Sequence, residues 1–138
     1  MHITWHLVIS SVLATLAFLI SGSLELALAL FLGGTLIDLD HITDCILLHR
    51  KMDFNRISDN VNHTLYDEKI LVSLHSLEIV ILLPLLFPGI ISAGIAAGML
   101  IHMLSDFLYY RHERQKSLLS LFFIYRMSKR FSVKELCG

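Results

Sequence analysis

Two long stretches of this chain, residues 1–49 and 70–110, contain no lysine or arginine. All eleven basic residues lie in the remaining segments, four within residues 50–69 and seven within residues 111–134. Charged residues make up 17% of the chain and hydrophobic residues 55%, whereas globular domains carry roughly 25% charged residues. This distribution predicts an all-α integral membrane protein, and it argues against a nucleic-acid-binding protein because no basic patch stands apart from the membrane pattern.

Four apolar runs occupy the uncharged stretches, and each is long enough, or nearly so, to span a bilayer. The first lacks the basic amino end and the cleavage site of a signal peptide, which favours a retained span. Short turns join the first run to the second and the third to the fourth. The predicted spans are residues 3–20, 24–37, 70–87 and 89–110.

The basic residues also predict the orientation of these spans. The amino terminus, the 41–69 loop and the tail lie on one side, which carries every lysine and arginine. The positive-inside rule therefore places both termini in the cytoplasm. The predicted location is the inner membrane of the cell. Residues 1–114 form the predicted transmembrane metal-binding bundle, and residues 115–138 a basic amphipathic tail. The apolar stretch 118–125 of this tail, with the basic residues after it, predicts an amphipathic helix on the membrane surface.

Histidines and carboxylates occur at the cytoplasmic ends of all four predicted spans, whereas the opposite ends hold only Glu25. Ionisable groups at the edge of hydrocarbon are energetically expensive, so their convergence at one depth indicates a functional site. Imidazole and carboxylate ligands together are typical of divalent metal ions. The predicted metal ligands are His6, Asp38, Asp40, His41, His75, His102 and Asp106.

Spacing supports this set because it places ligands on shared helix faces. His102 and Asp106 are separated by four residues and therefore share one face. Asp38 and His41 are separated by three and do likewise if the helix continues, whereas Asp40 faces the site only if the helix ends near it. Glu78 shares a face with His75, and either a general base or a further ligand fits that position.

Four short motifs carry a resemblance to a known family. They are the early His6, IDLDH from Ile37 to His41, LHSLE from Leu74 to Glu78, and HMLSD from His102 to Asp106. In order and spacing over roughly residues 1–110 they resemble the YdjM-like family of membrane-bound metal-dependent hydrolases. The chain has Ile37 where that family usually has proline, and an inserted loop separates His49-Arg50 from His75.

The resemblance implies a metal-dependent hydrolase. It extends remotely to the zinc phospholipase C and P1 nuclease group, whose sites hold a zinc cluster that cleaves phosphodiesters. By this resemblance the protein would hold one to three divalent ions, zinc first among them. It would hydrolyse a phosphoester, such as that of a phospholipid, at the cytoplasmic face, with metal-activated water and Glu78 as the candidate base.

Three other classes remain open from the residues alone. A metal-ion transporter or sensor would need polar groups through the whole membrane, and the outer halves of the spans offer almost none. A b-type haem protein would use His75 and His102 as axial ligands, without the flanking acids Glu78 and Asp106. A structural membrane protein with an inert metal site is the third alternative.

Overall fold

The structure is a computed structural model, and it describes residues 3–41, 73–114, 118–132 and 136. Within these residues it is built from helices, as predicted, without a β-strand. The elements are α1 Ile3–Ser21, α2 Leu24–Leu36, a 3-10 turn Ile37–Leu39, α3 Leu77–Leu86, α4 Ile90–Arg114, a second 3-10 turn Leu118–Leu121, and α5 Phe123–Ser128. His49, Arg50 and most of the 41–69 loop lie outside the described residues.

Two of the described helices are long and apolar enough to cross a membrane. These are α1, over Thr4–Ser21, and α4, over Ile90–Tyr109. Helix α2 has 13 residues and α3 has 10, which correspond to about 20 Å and about 15 Å of helix against roughly 30 Å of hydrocarbon. Each of the four predicted runs thus contains a helix, but α2 and α3 are shorter than full spans.

Helix α3 begins at Leu77, well after the start of the predicted run at residue 70. The backbone just before it is held by the Asp40 carboxylate, which accepts the N–H of Leu74 at 2.8 Å and that of His75 at 3.3 Å. A side-chain acceptor that binds these N–H groups competes with helix formation. The chain therefore forms a turn at Leu74 and His75 and enters the helix only afterwards.

Helices α2 and α4 cross in backbone contact, and α4 also packs against α3. A Cβ at Gly98 would collide with the Leu30 carbonyl, and a Cβ at Gly33 with the Ile95 carbonyl. Small residues permit such close approach in apolar helix pairs, so the glycines set the distance between the two helices. Helix α4 contacts α1, α2 and α3, so it lies at the centre of the described bundle.

Replacing Gly98 by alanine should destabilise the bundle, because the new methyl group must push α2 and α4 apart. We expect Gly98→Ala to cost about 1–3 kcal/mol of unfolding free energy, the usual range for overpacking. Thermal unfolding in detergent measures the change. Gly89→Ala is the matched control, since no atom lies within 4 Å of a Cβ there. Equal stability of the two variants would contradict the inferred contact.

Candidate metal centre

Side chains from α1, the turn after α2, the segment before α3, and α4 meet in one buried cluster. The cluster contains three overlapping sets whose ligand atoms lie within 4.8 Å of one another. The sets are His6, Asp38 and His102; Asp38, His41 and His75; and His75, His102 and Asp106. Six of the seven residues predicted as metal ligands therefore belong to these sets.

The end of α2 explains how both aspartates turn inward. The α-helix stops at Leu36 and continues as the 3-10 turn Ile37–Leu39, which winds more tightly than an α-helix. Asp38 is 8% exposed and Asp40 is 2% exposed. The change of winding between Leu36 and Asp40 thus lets both carboxylates turn into the protein.

Three donor atoms at the centre are spaced as ligands of a single ion would be. His102 Nε2 lies 3.3 Å from His75 Nε2 and 3.3 Å from Asp38 Oδ1, and the remaining pair is 3.7 Å apart. A tetrahedral zinc ion with bonds of 2.0–2.1 Å separates its ligands by about 3.3 Å. These three residues therefore fit one divalent ion without a large rearrangement.

The same spacing does not suit a haem. Two histidines on opposite sides of an iron hold their nitrogens about 4 Å apart, twice a metal–nitrogen bond, with the porphyrin plane between them. His75 and His102 bring their Nε2 atoms to 3.3 Å, with the rings inclined at 74°. The geometry favours two neighbouring ligands of one small ion.

His6 and Asp106 close the cluster on the α1 side. The His6 ring stacks on the His102 ring with centroids 3.8 Å apart, and His6 Nε2 lies 3.1 Å from Asp106 Oδ1. The other oxygen of Asp106 lies 3.6 Å from His102 Nε2. Asp106 thus has one oxygen beside each histidine, as the four-residue spacing of His102 and Asp106 predicts.

Hydrogen bonds behind the cluster determine which ring nitrogens face into it. His102 Nδ1 donates to the Gly34 carbonyl at 2.9 Å, and His75 Nδ1 donates to the Asp40 carboxylate at 3.1 Å. With those protons on Nδ1, the Nε2 atoms of neutral rings carry lone pairs directed toward Asp38. Such outer hydrogen bonds orient metal-binding histidines in many proteins.

Asp38 carries the strongest indication of a cation. Its Oδ2 is buried and meets no hydrogen-bond donor among the described residues. A buried carboxylate oxygen without a donor is the kind of group that a metal ion satisfies.

His41 is suited to bind as a neutral ligand. Burial lowers its pKa to about 4, with the nearby His75 charge contributing in the same direction. Its Nε2 lies 3.9 Å from Asp38 Oδ1. At neutral pH the ring is uncharged, which is the state in which imidazole binds metals.

Glu78 and Asp40 lie outside the three sets. The Glu78 carboxylate accepts the backbone N–H groups of Phe123 at 2.9 Å and Ile124 at 3.0 Å, at the start of α5. Arg126, 4% exposed, reaches back from α5 and donates to the His75 carbonyl at 2.8 Å. These contacts hold α5 of the described tail against the site.

Sequence reasoning missed two contributors to this site. The Gly34 carbonyl is one, and the glycine pair in an apolar run signalled close helix packing but not a hydrogen-bond acceptor for His102. Arg126 is the other. It is one of several basic residues in the tail, and nothing in the local pattern distinguishes an inward-facing arginine from its neighbours.

Comparison with known proteins adds no relative. No family model, no curated protein and no solved structure matches the chain. The resemblance to the YdjM-like family therefore stays a prediction that rests on the four motifs alone.

The hydrogen bond between Asp40 and His75 should contribute to metal affinity. We expect Asp40→Asn to weaken zinc binding by about 10- to 100-fold, the usual effect of losing such an outer partner. Asp38→Asn should weaken it more, because it removes a ligand. Titration against a fluorescent zinc chelator measures both changes, with Glu25→Gln at the other end of the fold as control. An unaltered zinc affinity of Asp40→Asn would show that the hydrogen bond between His75 and Asp40 does not contribute to metal binding.

Proposed function

We propose that this protein is a membrane-bound metal-dependent hydrolase that acts on a phosphoester, with zinc as the favoured ion. The observation that carries the proposal is the buried cluster around Asp38, whose donor spacing fits a divalent ion and whose Oδ2 meets no donor among the described residues. Histidine with carboxylate is the ligand chemistry of hydrolytic zinc sites. The motif order described above points to the same class.

The ligands would be His6, Asp38, His41, His75, His102 and Asp106. Asp38, His75 and His102 each belong to two of the three sets, so they would contribute to holding an ion in either set. The proposal therefore covers one to three ions. Asp40, predicted from the sequence as a ligand, takes the role of orienting His75 through its ring N–H.

A bound divalent ion supplies a water of lowered pKa and stabilises the negative charge that develops on a phosphoryl group. The chain's own residues supply the arrangement around it. The Gly34 carbonyl and Asp40 hold His102 and His75 in the tautomer that presents Nε2 to the site. Burial of His102 and Asp38 keeps bulk water from weakening their electrostatic interactions.

We place the cluster at the cytoplasmic side of the cell inner membrane, with four membrane-embedded helices and both termini inside. The support is the one-sided distribution of basic residues and the many outward-facing apolar side chains, such as Ile20 at 85% and Leu85 at 70% exposed. Lipid would cover these side chains. Substrate would then approach from the bilayer or the cytoplasm, and a phospholipid head group meets both conditions.

Bound metal is the first quantity to measure. We expect purified wild-type protein to contain stoichiometric zinc or another divalent ion by elemental mass spectrometry, and to hydrolyse bis(p-nitrophenyl) phosphate. His102→Ala and Asp106→Ala should lose both, because each removes donor atoms from the cluster. Glu25→Ala, far from the cluster, is the control. Wild-type protein that takes up no metal even after reconstitution would refute the hydrolase proposal.

Glu78→Gln tests whether that residue is a base or a tether. Its oxygens accept the N–H groups that begin α5, which favours a tether. We therefore expect Glu78→Gln to lower the unfolding free energy by about 1 kcal/mol, since glutamine keeps only part of the hydrogen bonding. A tether takes no part in the reaction, so kcat should be almost unchanged. Loss of a general base would instead lower kcat by about 10²- to 10⁴-fold without unfolding. Thermal unfolding and kcat, measured on one preparation, separate the two roles.

A further inference from the structure

An apolar cavity of about 330 Å³ lies between α2, α3 and α4. Its walls come from Leu32 and Gly33 of α2, Ile79 and Leu83 of α3, and Ile95 and Met99 of α4. Its volume falls at the lower end of the ~300–1,000 Å³ typical of small-molecule sites. Every lining residue is apolar, so the cavity suits hydrocarbon and offers no hydrogen bond to a polar ligand.

One end of this cavity lies close in sequence to the metal centre. Ile37 and Leu74 line the cavity, and the next residues in the chain are Asp38 and His75. Toward the α3–α4 turn, Leu83 and Ile95 also line a second apolar cavity. The groove thus begins at residues that adjoin two metal-binding residues in the chain, and it continues along α3 through purely apolar surroundings.

An occupant of both the groove and the centre must carry an anionic head group and a hydrocarbon chain. We infer that the groove, defined by the lining of the first cavity, holds one acyl chain of a membrane lipid whose phosphoester lies at the metal centre. The inference rests on the proposed function and makes its substrate an amphiphilic phosphoester. Leu32, Leu36 and Leu74 are 43%, 47% and 37% exposed, so the chain can enter sideways from the bilayer.

The groove would fix the position of the substrate's phosphoester more than it would raise the affinity for the lipid. A lipid chain that moves from bilayer to groove exchanges one apolar environment for another, so burial adds little driving force. Fixing the chain along α3 instead restricts where the phosphoester can lie. Holding a reacting group close to its catalytic partners is a large source of rate enhancement.

Photo-cross-linking tests the inference without requiring turnover. The probe is dodecylphosphonate with a diazirine on its terminal carbon, added to zinc-loaded protein in phosphatidylethanolamine–phosphatidylglycerol nanodiscs. Its carbon–phosphorus bond replaces the ester bond, so the proposed hydrolysis cannot release the head group. The matched probe is the corresponding alcohol, which lacks the head group. We expect the phosphonate probe to label the Leu83 and Ile95 region above the level given by the alcohol. Equal labelling by both probes, or labelling spread over the lipid-facing residues of α1, would overturn the inference.

Two variants obstruct the groove from different helices. Leu32→Trp and Leu83→Trp should each reduce this labelling by about tenfold, equivalent to ~1.4 kcal/mol of lost binding. Leu16→Trp is the control, because Leu16 is similarly exposed on α1 and lines neither cavity. The use of two helices guards against a variant that fails to fold. Undiminished labelling in both folded variants would contradict the assignment.

Zinc content and turnover of bis(p-nitrophenyl) phosphate, measured on the same samples, separate this inference from the proposed function. Obstructed variants should retain both, since the soluble substrate needs no chain site. Zinc and turnover without groove labelling would overturn the groove alone. Absence of both zinc and turnover would overturn the hydrolase proposal, and head-group-dependent labelling would then still support a lipid site.

Discussion

The close crossing of α2 and α4 is the constraint on which the site depends. Glycines at the crossing leave no room for a Cβ between the two backbones. The same approach brings the Gly34 carbonyl within 2.9 Å of His102 Nδ1. A wider crossing would leave that buried ring nitrogen without its acceptor, and the ring would no longer be fixed with Nε2 toward Asp38. The packing of α2 against α4 therefore also determines the orientation of the His102 ring.

Charge balance is the second constraint. Asp38 is buried, and its ion-pair partners are the rings of His41, His75 and His102. A neutral ring brings no charge, and burying an unpaired carboxylate costs several kcal/mol. Protons on the histidines or a bound cation can supply the missing charge, and the two compete because metal ligands must be deprotonated. In the proposed metal centre, a bound cation would therefore take the place of protons on the histidines.

The sequence predicted the location of the site better than its inner organisation. The ends of apolar runs placed His6, Asp38 and His102 at one depth, because helices that alternate in direction return to the same side of a membrane. Helical spacing likewise placed Asp106 beside His102. The contacts of Asp40 and Glu78 could not be predicted, since both depend on segments distant in sequence, the turn before α3 and the start of α5. Local periodicity carries no information about such long-range hydrogen bonds.

The short lengths of α2 and α3 then acquire a functional meaning. His102 lies twelve residues beyond Ile90, about 18 Å along α4, and α2 and α3 span about 20 Å and 15 Å. In the proposed orientation all three reach the cluster well before the far side of roughly 30 Å of hydrocarbon. The centre would thus lie below the membrane surface, where a soluble substrate meets a barrier and a lipid already resides. The short helices α2 and α3 also form walls of the groove. Their short length would therefore determine both the depth of the centre in the membrane and the path that an acyl chain takes to it.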